Sequence, residues 1–132
     1  LPLEQLRNSF ASKIKNMLKF TFLIRRTEGM SREAFINYHR QHHAPLFMSI
    51  PESQKYVKKY VVSHPTETAG FPAPQYDAIT DIYFSSMEDF NSFFSSENYK
   101  LKVHPDESNF FNLNDVVSLV SDEKIVVDAI TL

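Results

Sequence analysis

Short runs of β-branched and aromatic residues alternate along this chain with two helical stripes, and that alternation restricts the fold more than any single residue does. Phe20 to Arg26 reads as a strand and ends in the turn Thr27-Glu28-Gly29. Ser31 is then a good N-cap for a helix expected to reach about His43, where Pro45 disfavours the helical conformation at Ala44. After a loop through Pro51, residues Lys55 to His64 read as a second strand, and Pro65 to Pro74, with three prolines and Gly70, as a loop. The third strand, Asp77 to Phe84, sets Ala78, Thr80, Ile82 and Phe84 on one face and Asp77, Ile79, Asp81 and Tyr83 on the other. Ser86-Met87-Glu88-Asp89 opens a second helix, to about Ser95, whose apolar stripe is Met87, Phe90, Phe93 and Phe94. Val116 to Val120 and Ile125 to Val127 read as terminal strands. The order β, α, β, β, α, β predicts an α+β domain of ferredoxin-like type, with both helices on one face of an antiparallel sheet. Its other face is left bare, which predicts a homodimer. Ahead of it, Leu3, Leu6, Phe10, Ile14 and Met17 recur at helical steps, so the chain divides into a helical extension, 1–18, and a folded domain, 19–132.

Composition narrows the chemistry. Phosphate-cradling loops need several glycines close together, and this chain has two, Gly29 and Gly70, so NAD, FAD and ATP sites of those types are not expected. Cysteine is absent, which removes disulfides, thiolate nucleophiles and cysteine metal sites. A formal charge of −2 gives no basic footprint for nucleic acid. With no membrane-length apolar run and no secretory pattern, the expectation is a cytoplasmic protein with no membrane partner. Twelve Phe and six Tyr leave aromatic material to line an apolar cavity or an interface as well as a core.

Three of the five histidines fall within Tyr38-His39-Arg40-Gln41-His42-His43-Ala44-Pro45-Leu46. Histidine titrates near ~6.5, within reach of neutral pH, so such a cluster suits proton transfer. On a helical wheel Phe35, Ile36, Leu46 and Phe47 fall on one side, His39 lies in the middle of that arc and His42 and His43 flank it. His43 also sits in the expected last turn, where the helix dipole favours a protonated imidazole. Two other readings stand beside proton transfer. The histidines can be buried and satisfied by neighbours, or His39 and His43, four residues apart, can hold a metal. The second lacks both an H-E-x-x-H motif and a marked third ligand, so no metal is expected. His104-Pro105-Asp106-Glu107 supplies a further histidine and two carboxylates, in an expected loop.

Lys19 to Arg26, Gly29-Met30-Ser31-Arg32-Glu33-Ala34-Phe35, Tyr38 and His43-Ala44-Pro45-Leu46 together resemble the EthD family of dimeric α/β barrel proteins. Tyr76-Asp77-Ala78, Phe84 to Phe90, Asp106-Glu107 and Asn109-Phe110 continue the resemblance, which covers about Lys19 to Val127. The departure is His39, where the family commonly has tryptophan; an imidazole there makes the pocket more polar. The resemblance implies a ferredoxin-like subunit that pairs sheet to sheet into a barrel, with a cleft between sheet and helices. Related barrels include cofactor-free monooxygenases, polyketide cyclases, decarboxylases and a lactone isomerase. The expectation is therefore an enzyme without cofactor that oxygenates, cyclises, decarboxylates or isomerises a small hydrophobic, phenolic or polyketide-like molecule. His43 is the expected acid or base, His39 and Asp106 act with it, and Tyr38, Asp81, Tyr83, His104 and Phe110 contact the substrate. The alternative is a non-catalytic dimer that binds an apolar aromatic ligand in the same cleft.

Overall fold

The computed structural model describes residues 2–5 and 17–130. Residues 3–5 are helical and Leu18 already belongs to the first strand; the rest of the expected N-terminal helix, 6–16, lies outside the described residues. The elements are β1 (Leu18–Ile24), α1 (Arg32–Tyr38), a π-helical turn (His39–His43), α2 (Ala44–Ser49), α3 (Pro51–Tyr56), β2 (Val57–Ser63), β3 (Ala78–Phe84), α4 (Met87–Phe94), a second π-helical turn (Tyr99–Val103), α5 (His104–Glu107), a 3₁₀ turn (Leu113–Asp115) and β4 (Val117–Asp122). The strands form one antiparallel sheet in the order β2-β3-β1-β4, with Phe20 opposite Ile82 and Val120, the ferredoxin-like arrangement. Ser31 caps α1 by accepting from the Ala34 amide, Ser86 caps α4 through Asp89, and Gly29 takes the positive φ that the turn after β1 requires.

The sheet does not close into a barrel, which corrects the expected dimeric α/β barrel. Closure needs the two edge strands to hydrogen-bond. Here β2 and β4 are separated by two strands and form the two edges of an open sheet. Ile125 to Val127, expected as a strand, joins no ladder and is exposed.

The first helix does not stop before Pro45. Ala44 is helical, with φ −61° and ψ −44°, and its amide bonds back five residues to the His39 carbonyl. Pro45, which has no amide to offer, follows at the start of α2. The spacing of buried residues explains the wide turn. Phe35, His39, His43 and Phe47 are buried at intervals of four. On an α-helix at about 100° per residue, twelve residues carry the last of them about 120° past the first. A five-residue turn between His39 and His43 removes that drift and holds all four on one face. The device recurs in the second half: His104 bonds back to the Tyr99 carbonyl, Pro105 follows, and Tyr99, Val103 and Glu107 are again four apart.

Two aromatic clusters meet on the inner face of the sheet, one around Phe84 and Phe93 and the other around Phe35 and Phe110. Phe20 and Phe22, stacked with ring centroids 5.9 Å apart, lie at their junction. On the opposite face Thr21 donates to Asp81 at 2.7 Å, Tyr83 donates to Glu123 at 2.7 Å, and Lys19 pairs with Glu123 at 3.1 Å. Among the described residues no helix is long and apolar enough to cross a membrane.

Candidate functional site

Where the two clusters meet, a cavity of about 340 Å³ opens between the sheet and the helices. Phe20 and Phe22 from β1, Ile82 from β3 and Phe90 and Phe94 from α4 make its apolar wall. His39, His43, His104, Glu107, Tyr60 and Tyr99 bring polar groups into it. At this size it suits a small molecule held mainly by apolar contact and oriented by a few polar groups.

The π turn and α5 together build the polar wall. His43, 6% exposed, places Nδ1 2.9 Å from Oδ2 of Asp106, itself 6% exposed. The other carboxylate oxygen accepts from the Tyr38 hydroxyl and, at 3.0 Å, from the Asn109 amide, and the exposed His42 ring stands 3.4 Å away. Burial pushes the Asp106 carboxyl up, but the hydrogen bonds from Tyr38, Asn109 and His43 outweigh it and hold the group below the usual carboxylate range. Asp106 is therefore an anion, and His43 donates Nδ1–H to it. The His43 Nε2 lone pair is left without a protein partner among the described residues, in a residue that lines the cavity. Burial also drives the His43 pKa below the ordinary value, only partly offset by Asp106. The charged last-turn imidazole expected from the helix dipole is not what this setting favours: the helix runs on past His43, and desolvation makes the ring neutral.

His39, 1% exposed, sets Nδ1 3.1 Å from Nε2 of His64, the residue that follows β2. Burial first, then the neighbouring His43, His64 and Arg40, take its pKa down to about 3, so this imidazole is neutral. Phe110 packs against both rings, at 5.1 Å from His39 and 4.7 Å from His43. A second pair lies on the next residue of α5: Glu107 accepts from the Tyr99 hydroxyl at 2.7 Å and contacts His104 Nδ1 at 3.0 Å. Burial and the Glu107 charge raise the Tyr99 phenol, which stays protonated.

Of the residues singled out from sequence, His39, His43, Asp106, Tyr38 and Phe110 form one contiguous cluster, and His104 lies at the same cavity through Glu107. Asp81 and Tyr83 are not brought there. Strand alternation places them on the face of the sheet away from the helices, while Thr80 and Ile82 face the cavity. Glu107, Tyr99 and His64 were not singled out as site residues. The repeat Tyr99, Val103, Glu107 was the available signal for the first two, since it copies the four-residue spacing of Phe35, His39 and His43 and likewise precedes or spans a proline. Among the described residues no three His, Asp or Glu side chains are disposed to hold a metal ion.

No curated protein matches the sequence. Among solved structures, an EthD family protein from Bacillus halodurans superposes with a TM-score of 0.63 at 17% identity, over 82% of this chain and 99% of that one. A dimeric protein of ferredoxin-like fold from Bacteroides fragilis gives 0.60 at 9% identity, over 82% and 97%. The hydroxynitrile lyase from Passiflora edulis gives 0.57 at 15%, over 84% and 98%. These likenesses establish the fold. Membership is carried by the sequence itself: residues 27–114, which hold α1, both π turns and the whole of the His43–Asp106 cluster, match the EthD domain, and the chain belongs to the EthD family.

Proposed function

We propose that this protein is a cofactor-independent enzyme that moves protons on a small, apolar, phenolic or polyketide-like substrate, with His43 as the acid–base group. The observation that carries the proposal is the His43–Asp106 pair: a buried carboxylate fixes one imidazole nitrogen and leaves the other free at an aromatic cavity. That arrangement sets ring orientation and tautomer, which general-base catalysis needs. Tyr38 and Asn109 support it by holding Asp106 ionised, Phe20, Phe22 and Phe94 provide the apolar surface for an aromatic substrate, the fully buried Phe110 backs the two imidazoles, and His104 with Glu107 gives a second polar edge. That the same fold serves a hydroxynitrile lyase is compatible with proton chemistry on this scaffold.

His43→Asn is expected to lower turnover of anthrone and related phenolics by about 10²- to 10⁴-fold, the usual contribution of a positioned acid–base group. Steady-state rates, with circular dichroism to confirm folding, provide the check. A folded variant as active as the parent would remove His43 from the chemistry. Tight fluorescence-detected binding of aromatic ligands with no product from any of them would favour a binding protein instead.

We also propose a homodimer. The sheet face away from the helices carries Leu23, Val61, Ile79, Val117 and Leu119 around the Thr21–Asp81 pair, and Leu119 is 49% exposed. A partly apolar open sheet face of this extent favours burial against a second copy, and the Bacteroides fragilis protein of this fold is dimeric. Leu119→Asp is expected to shift the mass seen by light scattering from dimer toward monomer, while far-ultraviolet circular dichroism is unchanged. An unaltered dimer would move the contact elsewhere.

A further inference from the structure

His64 stands outside the acid–base pair just described, yet it decides what the cavity offers a substrate. Its Nε2 bonds to His39 Nδ1, and its own Nδ1 is buried without a hydrogen-bond partner among the described residues. Both rings are neutral: desolvation lowers both pKa values, helped at His64 by Arg40 and Arg32. Two neutral imidazoles in contact have two arrangements. If His39 donated Nδ1–H, His64 would have to carry its single hydrogen on Nδ1, leaving a buried N–H donor with no acceptor, a rarity in folded proteins. If His64 donates Nε2–H, its Nδ1 is only an unused lone pair, on a ring that feels the positive charges of Arg40 and Arg32. The second arrangement is the favoured one. It leaves His39 with a lone pair on Nδ1 and its hydrogen on Nε2, in a residue that lines the cavity. Arg32, bonded to the Pro65 carbonyl at 3.0 Å, ties down the chain beside His64.

We propose that His64 is a positioning residue that holds His39 as its Nε2–H tautomer, so that a neutral hydrogen-bond donor stands beside the His43 base, and that the two together enolise a small aromatic carbonyl compound. The His39 and His43 ring centroids are 6.0 Å apart, within the span of one such molecule. His43 Nε2 takes a proton from the carbon next to the carbonyl. The C–H pair becomes the C=C bond of the enolate, and the C=O π pair moves to oxygen, which accepts from His39 Nε2–H. Return of a proton from His43 to the same carbon closes the cycle with no oxidant or cofactor. A neutral donor suits the task, since it stabilises the developing oxyanion without protonating the neighbouring base. The inference rests on the reading of His43 as the base.

Two substitutions separate the tautomers. Gln at position 64 can still donate an N–H to His39 Nδ1, whereas Glu can only accept, and Arg32 and Arg40 are placed to tolerate its charge. In ¹⁵N-resolved histidine spectra, His39 is expected as the Nε2–H tautomer in the parent and in His64→Gln, and as Nδ1–H in His64→Glu. With phenylacetone in D₂O as the probe, deuterium uptake next to the carbonyl is expected at the parental rate in His64→Gln and about 10²- to 10³-fold slower in His64→Glu, the loss typical of one oxyanion donor. Nδ1–H at His39 in the parent, or equal rates in the two variants, would overturn the proposal while leaving His43 as base. No uptake above the buffer rate in a parent with the expected tautomer would instead overturn the acid–base reading, and the carbonyl substrate class with it.

Discussion

Asp106→Asn is expected to lower enzyme-catalysed exchange by about 10⁴-fold while the protein stays folded, the scale of loss when the carboxylate behind a catalytic histidine becomes an amide. The size follows from which oxygen each neighbour uses. Tyr38 and Asn109 both donate to Oδ1, and His43 alone approaches Oδ2. An Asn side chain must therefore keep its carbonyl oxygen toward the two donors and turn its NH₂ toward His43. Nδ1 of His43 then accepts a hydrogen bond, the ring hydrogen moves to Nε2, and the cavity loses its lone pair with little change in shape. The stability loss is smaller, about 1–3 kcal/mol for replacing a charge-assisted hydrogen bond in a buried site. Deuterium exchange into phenylacetone, urea denaturation and the ¹⁵N signature of His43 check the three parts separately. A variant that exchanges at the parental rate would show that Asp106 serves packing alone.

The order of strands and helices could be read from the chain because it is written in local chemistry: alternation at Asp77 to Phe84, Ser31 and Ser86 as caps, and the prolines between Pro65 and Pro74. The histidine cluster was legible for the same reason, since His39 and His43 share an arc with Phe35 and Phe47. What local chemistry does not settle is where a broken rule is absorbed. Pro45 was expected to end a helix by pushing Ala44 out of the helical region, yet Ala44 stays helical. The chain instead widens by one residue, so that His39 and His43 stay in line and the proline falls where an amide is not needed. A strict four-residue spacing of apolar or aromatic residues before proline was the clue, because 3.6 residues per turn cannot keep it on one face.

Long-range placement was less accessible. Asp106 and Glu107 were expected in a loop, because the stretch before them is largely polar and the four-residue repeat of Tyr99, Val103 and Glu107 does not match an α-helical period. Their burial comes from the second π turn and from contacts to Tyr38, His43 and Tyr99, up to 68 residues away. Asp81 and Tyr83 illustrate the converse. Alternation separated them correctly from Thr80 and Ile82, but alternation cannot say which face the helices cover; the pairing of Asp81 with Thr21 belongs to the open face. Closure into a barrel was the largest overreach, because it depends on edges meeting and not on the content of any strand.

His39 gives the strongest pH dependence expected of this protein. The group is 1% exposed and held at about 3 by burial first, then by the neighbouring His43, His64 and Arg40, whereas in the unfolded chain it titrates near 6.5. Between those values the unfolded chain binds a proton that the folded protein refuses, so stability rises with pH across the window and is lost as pH falls from about 6.5 toward 3. The full difference corresponds to about 4–5 kcal/mol, a large share of the stability of a small domain. His43 and His64, whose pKa values are also lowered, act in the same direction, and Asp106, held below its ordinary value, adds a further loss at the acid end. His39→Phe keeps an aromatic ring against Phe35 and Phe110 but has nothing to titrate. Its unfolding free energy, from urea denaturation at a series of pH values, is expected to fall much less steeply over this range than that of the parent. Parallel curves would mean that His39 accepts its proton without unfolding the chain. In that case it could not be the neutral donor that the cavity requires, because a ring so easily charged would compete with His43 for the same proton.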